Sequence, residues 1–196
     1  AFDAQRPQNI LPNSSFEWGR EEWGTNFGKF DVSSIWNIDS STASHGVNAL
    51  RVDLVPRAAA YETEHRGATI ASDYFLGRPL ERLTISADLK SSKAGQVVNL
   101  QLRYVPVALV PNRGSDLIEK TIILTDDWQR YSFDVRLPLA ANDAYAISIK
   151  VPARKDAVSV YLDAVTVTGA GQHKYQPQND MAVSYTHLTL PTSYPV

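Results

Sequence analysis

The sequence predicts an all-β protein, an antiparallel β-sandwich, on three observations. Short segments in which apolar and polar residues alternate recur along the chain. Turn-forming residues separate them at regular spacing. No segment carries the period of a long amphipathic helix. Many short strands with this punctuation pack as two antiparallel sheets, each with one face in the core and one in water.

The strands follow in order. Ala49 to Val55 alternates, as does Leu83 to Lys90, with Leu83, Ile85, Ala87 and Leu89 inward. Val97 to Tyr104 places Val98, Leu100, Leu102 and Tyr104 on one face and Asn99, Gln101 and Arg103 on the other. Glu119 to Leu124 is a shorter strand. Gln129 to Leu137, Tyr145 to Val151 and Val158 to Val167 complete the set. Turns are expected at Ser92-Lys-Ala-Gly95, Pro111-Asn-Arg-Gly114, Thr125-Asp-Asp127 and Ala141-Asn-Asp143. The outward positions are rich in hydrogen-bonding groups and are expected to be wet: Thr84, Ser86, Asp88 and Lys90, then Ser148 and Lys150.

The chain has 196 residues, 43% hydrophobic and 20% charged, with a formal net charge of −2. This balance gives no reason to expect nucleic acid or an anionic membrane as partner, and no apolar run approaches the ~20 residues of a membrane span. There are no cysteines, so disulfides, thiolate metal sites and a cysteine nucleophile are excluded. The four histidines show no metal-ligand spacing within the domain. No phosphate loop or nucleophile elbow is present. One domain is expected over 1–168, followed by a linker over 169–182 that leads towards a further domain. The last segment, 183–196, resembles translated read-through of a sequencing adapter, as at the broken end of a metagenomic gene prediction. It is expected to be a non-native tail.

Two carboxylates stand out. Glu17 follows Phe16 in Asn9-Ile-Leu-Pro-Asn-Ser-Ser-Phe-Glu17, and Asp163 lies inside the apolar run Val160-Tyr-Leu-Asp-Ala-Val165. Together they suggest that the two ends of the domain meet around a cation. They also read as solvated or capping carboxylates, or as the acid and base of a glycosidase.

The same segments resemble the jelly-roll carbohydrate-binding modules of families four, nine and twenty-two. Asn9 to Glu17 is similar to their opening strand, Ser40 to Leu50 to their small-residue, Gly, strand segment, and Asp127-Trp-Gln-Arg-Tyr-Ser-Phe133 to a late strand. Val160 to Val165 is similar to their closing Tyr-x-Asp-Asp-Val strand, although the second Asp is Ala164 here. The resemblance covers about Asn9 to Val167. It implies a structural Ca²⁺, held by Glu17 and Asp163 with carbonyls of Ser15, His45 and Asn48 completing a shell of oxygens. It implies a secreted bacterial module, a monomer, placed before a glycoside hydrolase domain, with a plant-type polysaccharide such as xylan or β-glucan as partner.

A sugar presents apolar C–H faces and hydroxyls, so its site pairs an aromatic platform with amides, carboxylates or guanidinium groups. The platform candidates are Trp18 and Trp23, in the polar loop Glu17-Trp-Gly-Arg-Glu-Glu-Trp-Gly24, then Trp36, Tyr61 and Tyr74. Trp128 and Tyr104 are expected to pack. The hydroxyl-reading candidates are Asn99, Gln101 and Arg103, with Asp88 on a neighbouring strand. The sequence therefore points to a non-catalytic carbohydrate-binding module. A structural sandwich that packs on its enzyme without binding sugar is the second reading, and a small glycosidase or polysaccharide lyase the third.

Overall fold

A computed structural model describes residues 9–24, 34–54, 68–105, 118–138, 144–152 and 156–169. Eleven strands are present among them and no helix. They are β1 (Trp23–Gly24), β2 (Ser34–Asp39), β3 (Ala49–Leu54), β4 (Ala68–Ser72), β5 (Phe75–Leu76) and β6 (Arg82–Ser91). β7 (Val97–Val105), β8 (Ile118–Ile123), β9 (Gln129–Arg136), β10 (Ala144–Val151) and β11 (Val158–Gly169) complete the chain order. The front sheet runs β1-β4-β10-β7-β8, with β5 also paired to β10. The back sheet runs β2-β3-β11-β6-β9. All pairings are antiparallel, and the fold is the predicted jelly-roll sandwich.

Period-two alternation decides which side chains fill the space between the sheets. Ile85, Ala87 and Leu89 of β6 face Val98, Leu100 and Leu102 of β7 and Ile147, Ile149 and Val151 of β10 in one buried cluster. The predicted strands lie where alternation placed them. β1, β2, β4 and β5 were not predicted. β1 and β5 have only two residues each, and the Ala-Thr-Ile-Ala-Ser of β4 has one large apolar side chain.

The outward faces are drier than expected. Thr84, Ser86 and Ser148 are fully buried, because each is paired across the sheet. Thr84 Oγ1 donates to Asp134 Oδ1 at 2.6 Å, Ser86 and Ser132 share a 2.8 Å hydrogen bond, and Ser148 Oγ donates to Gln101 Oε1 at 2.9 Å. Buried hydroxyls are tolerated on those terms.

The N-terminal segment is fastened along the second half of β11. Ile10 N–H donates to Val167 O at 2.9 Å and Val165 N–H to Ser14 O at 2.9 Å. The buried Asn9 amide bridges the same strand: its Nδ2 donates to Val165 O and its Oδ1 accepts from Val167 N–H, both at 3.1 Å. Here β11 changes register between Asp163 and Thr166, and Ala164 adopts a left-handed backbone, φ 46°. A bulge of this kind re-aims the side chains beside it.

The loop 44–48 is held by the two carboxylates. Asp163 Oδ2 accepts from the backbone N–H groups of Ser44 (2.8 Å) and His45 (2.9 Å) and from Ser44 Oγ (3.1 Å), while its Oδ1 accepts from Ala164 N–H (2.6 Å). Glu17 Oε1 accepts from the N–H groups of Val47 and Asn48, both at 2.9 Å. Gly46, between these pairs, has φ +70°, and a Cβ there would stand 2.7 Å from the Glu17 carboxyl carbon. The backbone requires glycine, and a Cβ would push the Glu17 carboxylate off its donors. Gly46→Ala should therefore lower stability by about 2–4 kcal/mol, from left-handed strain plus displacement of the Glu17 carboxylate from its donors, as read by urea unfolding. A loss under about 0.5 kcal/mol, the range of an ordinary surface change, would refute this clasp.

Candidate functional site

Glu17 and Asp163 converge on one loop, as the sequence suggests, but the groups that meet them are N–H donors. Ca²⁺ takes six to eight oxygen ligands. Three donors crowd Asp163 Oδ2, one holds Oδ1, and two hold Glu17 Oε1. The residue after Asp163 is Ala164, which offers a methyl group. His45 and Asn48 take part through their amide hydrogens, and Ser15 is buried beside the buried Phe16. Among the described residues no group of three or more His, Cys, Asp or Glu is placed to hold a metal ion. The residues present do not fit a calcium ion as placed. Burial lifts the Asp163 carboxyl to about 6, against four hydrogen bonds that each favour the ionised form. With no exposed surface, Asp163 also has no access to a substrate, so this pair cannot serve as the acid and base of a glycosidase.

The aromatic candidates divide. Trp23 is only 8% exposed. Its Nε1–H donates to Asn13 O at 3.1 Å, and its ring lies 4.9 Å from that of Phe16. It covers the sheet edge and is not a platform. Trp36 packs against the core from the edge strand β2, and its other face carries the Arg20 guanidinium 4.5 Å from the ring centroid. Arg20 also donates to Trp36 O and Asn37 Oδ1, both at 2.7 Å. Both rings are spent on packing. Trp18 is 42% exposed on the turn that Asn13 holds. Tyr74, 48% exposed, stands between β4 and β5. Tyr61 and the side chain of Tyr104 lie outside the described residues. Trp128 donates through Nε1 to Thr42 Oγ1 at 3.1 Å and meets Tyr161 edge-on, in keeping with a packing role.

The polar candidates separate too. Asp88 belongs to β6 in the back sheet, away from β7, and is bound to Arg130 at 2.9 Å and to Ser44 Oγ at 2.6 Å. It does not join the others. Asn99, Gln101 and Arg103 share the outward face of β7, between β10 and β8. Gln101 is 3% exposed; besides accepting from Ser148 it donates through Nε2 to Glu119 Oε2 at 2.8 Å. Its amide oxygen and one N–H are used, and it braces three strands. Asn99 and Arg103, on either side of it, are half-buried. Burial lowers the proton affinity of the Arg103 guanidinium from its ordinary value, and Tyr74 partly offsets this.

Register completes the face. Ala146 lies opposite Arg103, Ser148 opposite Gln101 and Lys150 opposite Asn99. The short side chains of Ala146 and Ser148 keep the face low between Arg103 and Lys150. From Asn99 to Arg103 the strand rises about 13 Å, four residues at ~3.3 Å each.

The edge of this face opens into a cleft of about 320 Å³, lined by Glu22, Trp23, Gly24, Ala71, Ser72, Asp73 and Tyr74. Asp73 N–H donates to Glu22 O at 2.6 Å. A hydrogen bond with the Asp73 carboxyl raises the Glu22 pKa, followed by burial and the charges of Asp73 and Glu21. Two carboxyls in hydrogen-bond contact are closer than the ~5 Å a glycosidase pair needs to flank a bond. Sequence reasoning missed this pair, because Glu22 and Asp73 are distant in the chain and meet only through the β1-β4 pairing.

A clasp held by these N–H donors alone has a measurable consequence. The melting temperature should be the same in chelator and in millimolar calcium. Glu17→Gln should destabilise equally in both, by about 1–3 kcal/mol for donors left poorly paired. A chelator-induced loss of stability that calcium reverses, and that Glu17→Gln abolishes, would contradict it.

No family model matches the sequence, and neither does any curated protein. Solved structures match its fold. One is described as Family 16 Carbohydrate Binding Module-2, at 16% identity and TM-score 0.57, covering 82% of this chain and 99% of that one. The CBM22-2 xylan-binding domain of Paenibacillus barcinonensis Xyn10C gives 14% identity and TM-score 0.58 over 80% and 98%. The CBM22-1-GH10 modules of Clostridium thermocellum xylanase 10B, complexed with xylohexaose, give 17% and 0.58 over 89% of this chain and 30% of that one. What this chain shares with these structures is their fold, the jelly-roll sandwich of carbohydrate-binding modules.

Proposed function

We propose that this chain is a non-catalytic carbohydrate-binding module that holds a plant-type polysaccharide, xylan or β-glucan, on the outward face of the front sheet. One observation carries the reading. The exposed Tyr74 ring and the half-buried Arg103 stand at one end of a low face, with Asn99 and the exposed Lys150 at the other. Tyr74 offers a surface for a sugar C–H face, and the amide, guanidinium and ammonium groups read hydroxyls. Gln101 keeps that geometry through Ser148 and Glu119. The likeness to a xylan-binding domain and to modules complexed with xylohexaose supports the substrate class. In this reading the module acts as a secreted monomer beside a glycoside hydrolase domain and raises the local concentration of substrate. Binding at each site is weak, because desolvation of hydroxyls offsets most of the hydrogen bonding.

A second reading has its own observation. Apolar side chains are exposed at the margins of the same face: Val97 opposite Ile123, and Leu76 opposite Ala144. These would suit packing on an attached domain. Affinity electrophoresis separates the two. Gels cast with xylan or β-glucan should retard the chain. Tyr74→Ala and Arg103→Ala should each weaken retardation about tenfold, roughly 1.4 kcal/mol, with little change in melting temperature. Trp23→Ala should instead destabilise the fold, since it empties a packed aromatic site. No retardation by xylan, β-glucan or mannan would favour the packing role and reject the sugar-binding one.

A further inference from the structure

The face just described is not electrostatically neutral, and its two central rows differ in how far their groups are satisfied. In one row Ala71, Ser148, Gln101 and Glu119 are aligned across four strands, and the hydrogen bonds run unbroken from Ser148 through Gln101 to Glu119. In the next row Thr69, Lys150, Asn99 and Thr121 are aligned in the same way. Residues opposite each other in antiparallel strands share a face. Here the polar groups do not satisfy one another. Asn99 Oδ1 is buried and has no hydrogen-bond partner. Lys150 is exposed, and no carboxylate among the described residues pairs with it.

The charges on this row point one way, the Glu22 and Asp73 carboxyls lying apart from it at the β1 edge of the sheet. Among the described outward positions of β4, β10, β7 and β8 the cations are Lys150 and Arg103. The only carboxylate is Glu119, whose Oε2 is already bound by the Gln101 amide. A buried acceptor without a donor is costly unless something supplies one. A cation without a counter-ion on a partly dry surface favours an anion.

We propose that the Lys150–Asn99 end of the front face takes an acidic sugar, a uronate whose carboxylate lies on the Lys150 ammonium while the half-buried Asn99 amide turns its unpartnered Oδ1 outward to accept from a neighbouring hydroxyl. This rests on the reading of the front sheet as the sugar-binding face and names the class of chain that face prefers. A uronic acid carries its carboxylate and a ring hydroxyl on adjacent carbons, so one residue can meet both groups. The Thr69 and Thr121 hydroxyls flank the pair. A neutral sugar would offer hydroxyls to both and leave the Lys150 charge without a counter-ion.

The test uses the full chain and one polymer in two forms: glucuronoxylan, and the same glucuronoxylan after chemical reduction of its carboxyl groups. Native polymer should bind about fivefold more tightly than the reduced form, the upper range for one exposed ion pair, and the difference should shrink as salt is added. Lys150→Gln should weaken retention by native polymer more than by reduced polymer, until the two are held alike. Asn99→Ala should weaken both. Equal retention of the two polymers by the wild-type chain, or a preference that survives Lys150→Gln, would overturn this inference and leave sugar binding standing. Retention by neither form, nor by neutral β-glucan, would overturn both.

Discussion

The structure turns on one buried carboxylate. Asp163 sits on the closing strand with no solvent exposure, at the point where a bulge shifts β11 against β6. An ionised carboxyl in that position is costly unless its oxygens are hydrogen bonded. Ser44, His45 and Ala164 supply those bonds, and in doing so they tie the 44–48 loop to the last strand. Glu17 grips the other end of the loop from the first segment, and Asn9 continues that segment along β11. The two ends of the domain are thus fastened by charge-assisted bonds to backbone amides, a stronger kind of contact than a neutral hydrogen bond.

This fastening belongs to the back sheet, and it leaves the front sheet free for another task. The outward side of the back sheet is closed by Arg130 on Asp88, Ala164 O and Thr166, and by the paired Thr84–Asp134 and Ser86–Ser132. On the front sheet the same logic stops halfway. Ser148, Gln101 and Glu119 are satisfied, whereas Asn99 and Lys150 are not, and Tyr74 stands exposed at the far end. A sheet whose polar groups are partly matched and partly open is suited to a ligand that brings hydroxyls. The fold by itself would not say so, since sandwiches of this kind host many roles.

Much of this was legible in the sequence, and the limits have physical causes. Alternation along Leu83 to Lys90 and Val97 to Tyr104 fixed both strands and their inward faces, because strand geometry has a period of two. It also put Asn99, Gln101 and Arg103 on one face. Which of the three is open depends on Ser148 and Glu119, partners from other strands that no local pattern names. Trp23 looked like a platform because its neighbours are polar and Gly-bearing. A left-handed turn at Phe16, φ 59°, and the carbonyl of Asn13 fold the indole inward instead. Glu17 and Asp163 both bind the 44–48 loop. Their partners are amide hydrogens, and a sequence does not show which way a peptide group points.

Backbone amide shifts of isotope-labelled protein, followed while xylan and β-glucan oligosaccharides are added, would report ligand on the front face between Tyr74 and Lys150. Saturable shifts are expected at Tyr74, Asn99, Arg103 and Lys150, with Trp36, Trp128 and Tyr161 unmoved. Shifts centred on Trp128 and Tyr161 of the back sheet, or none at any concentration, would contradict binding there.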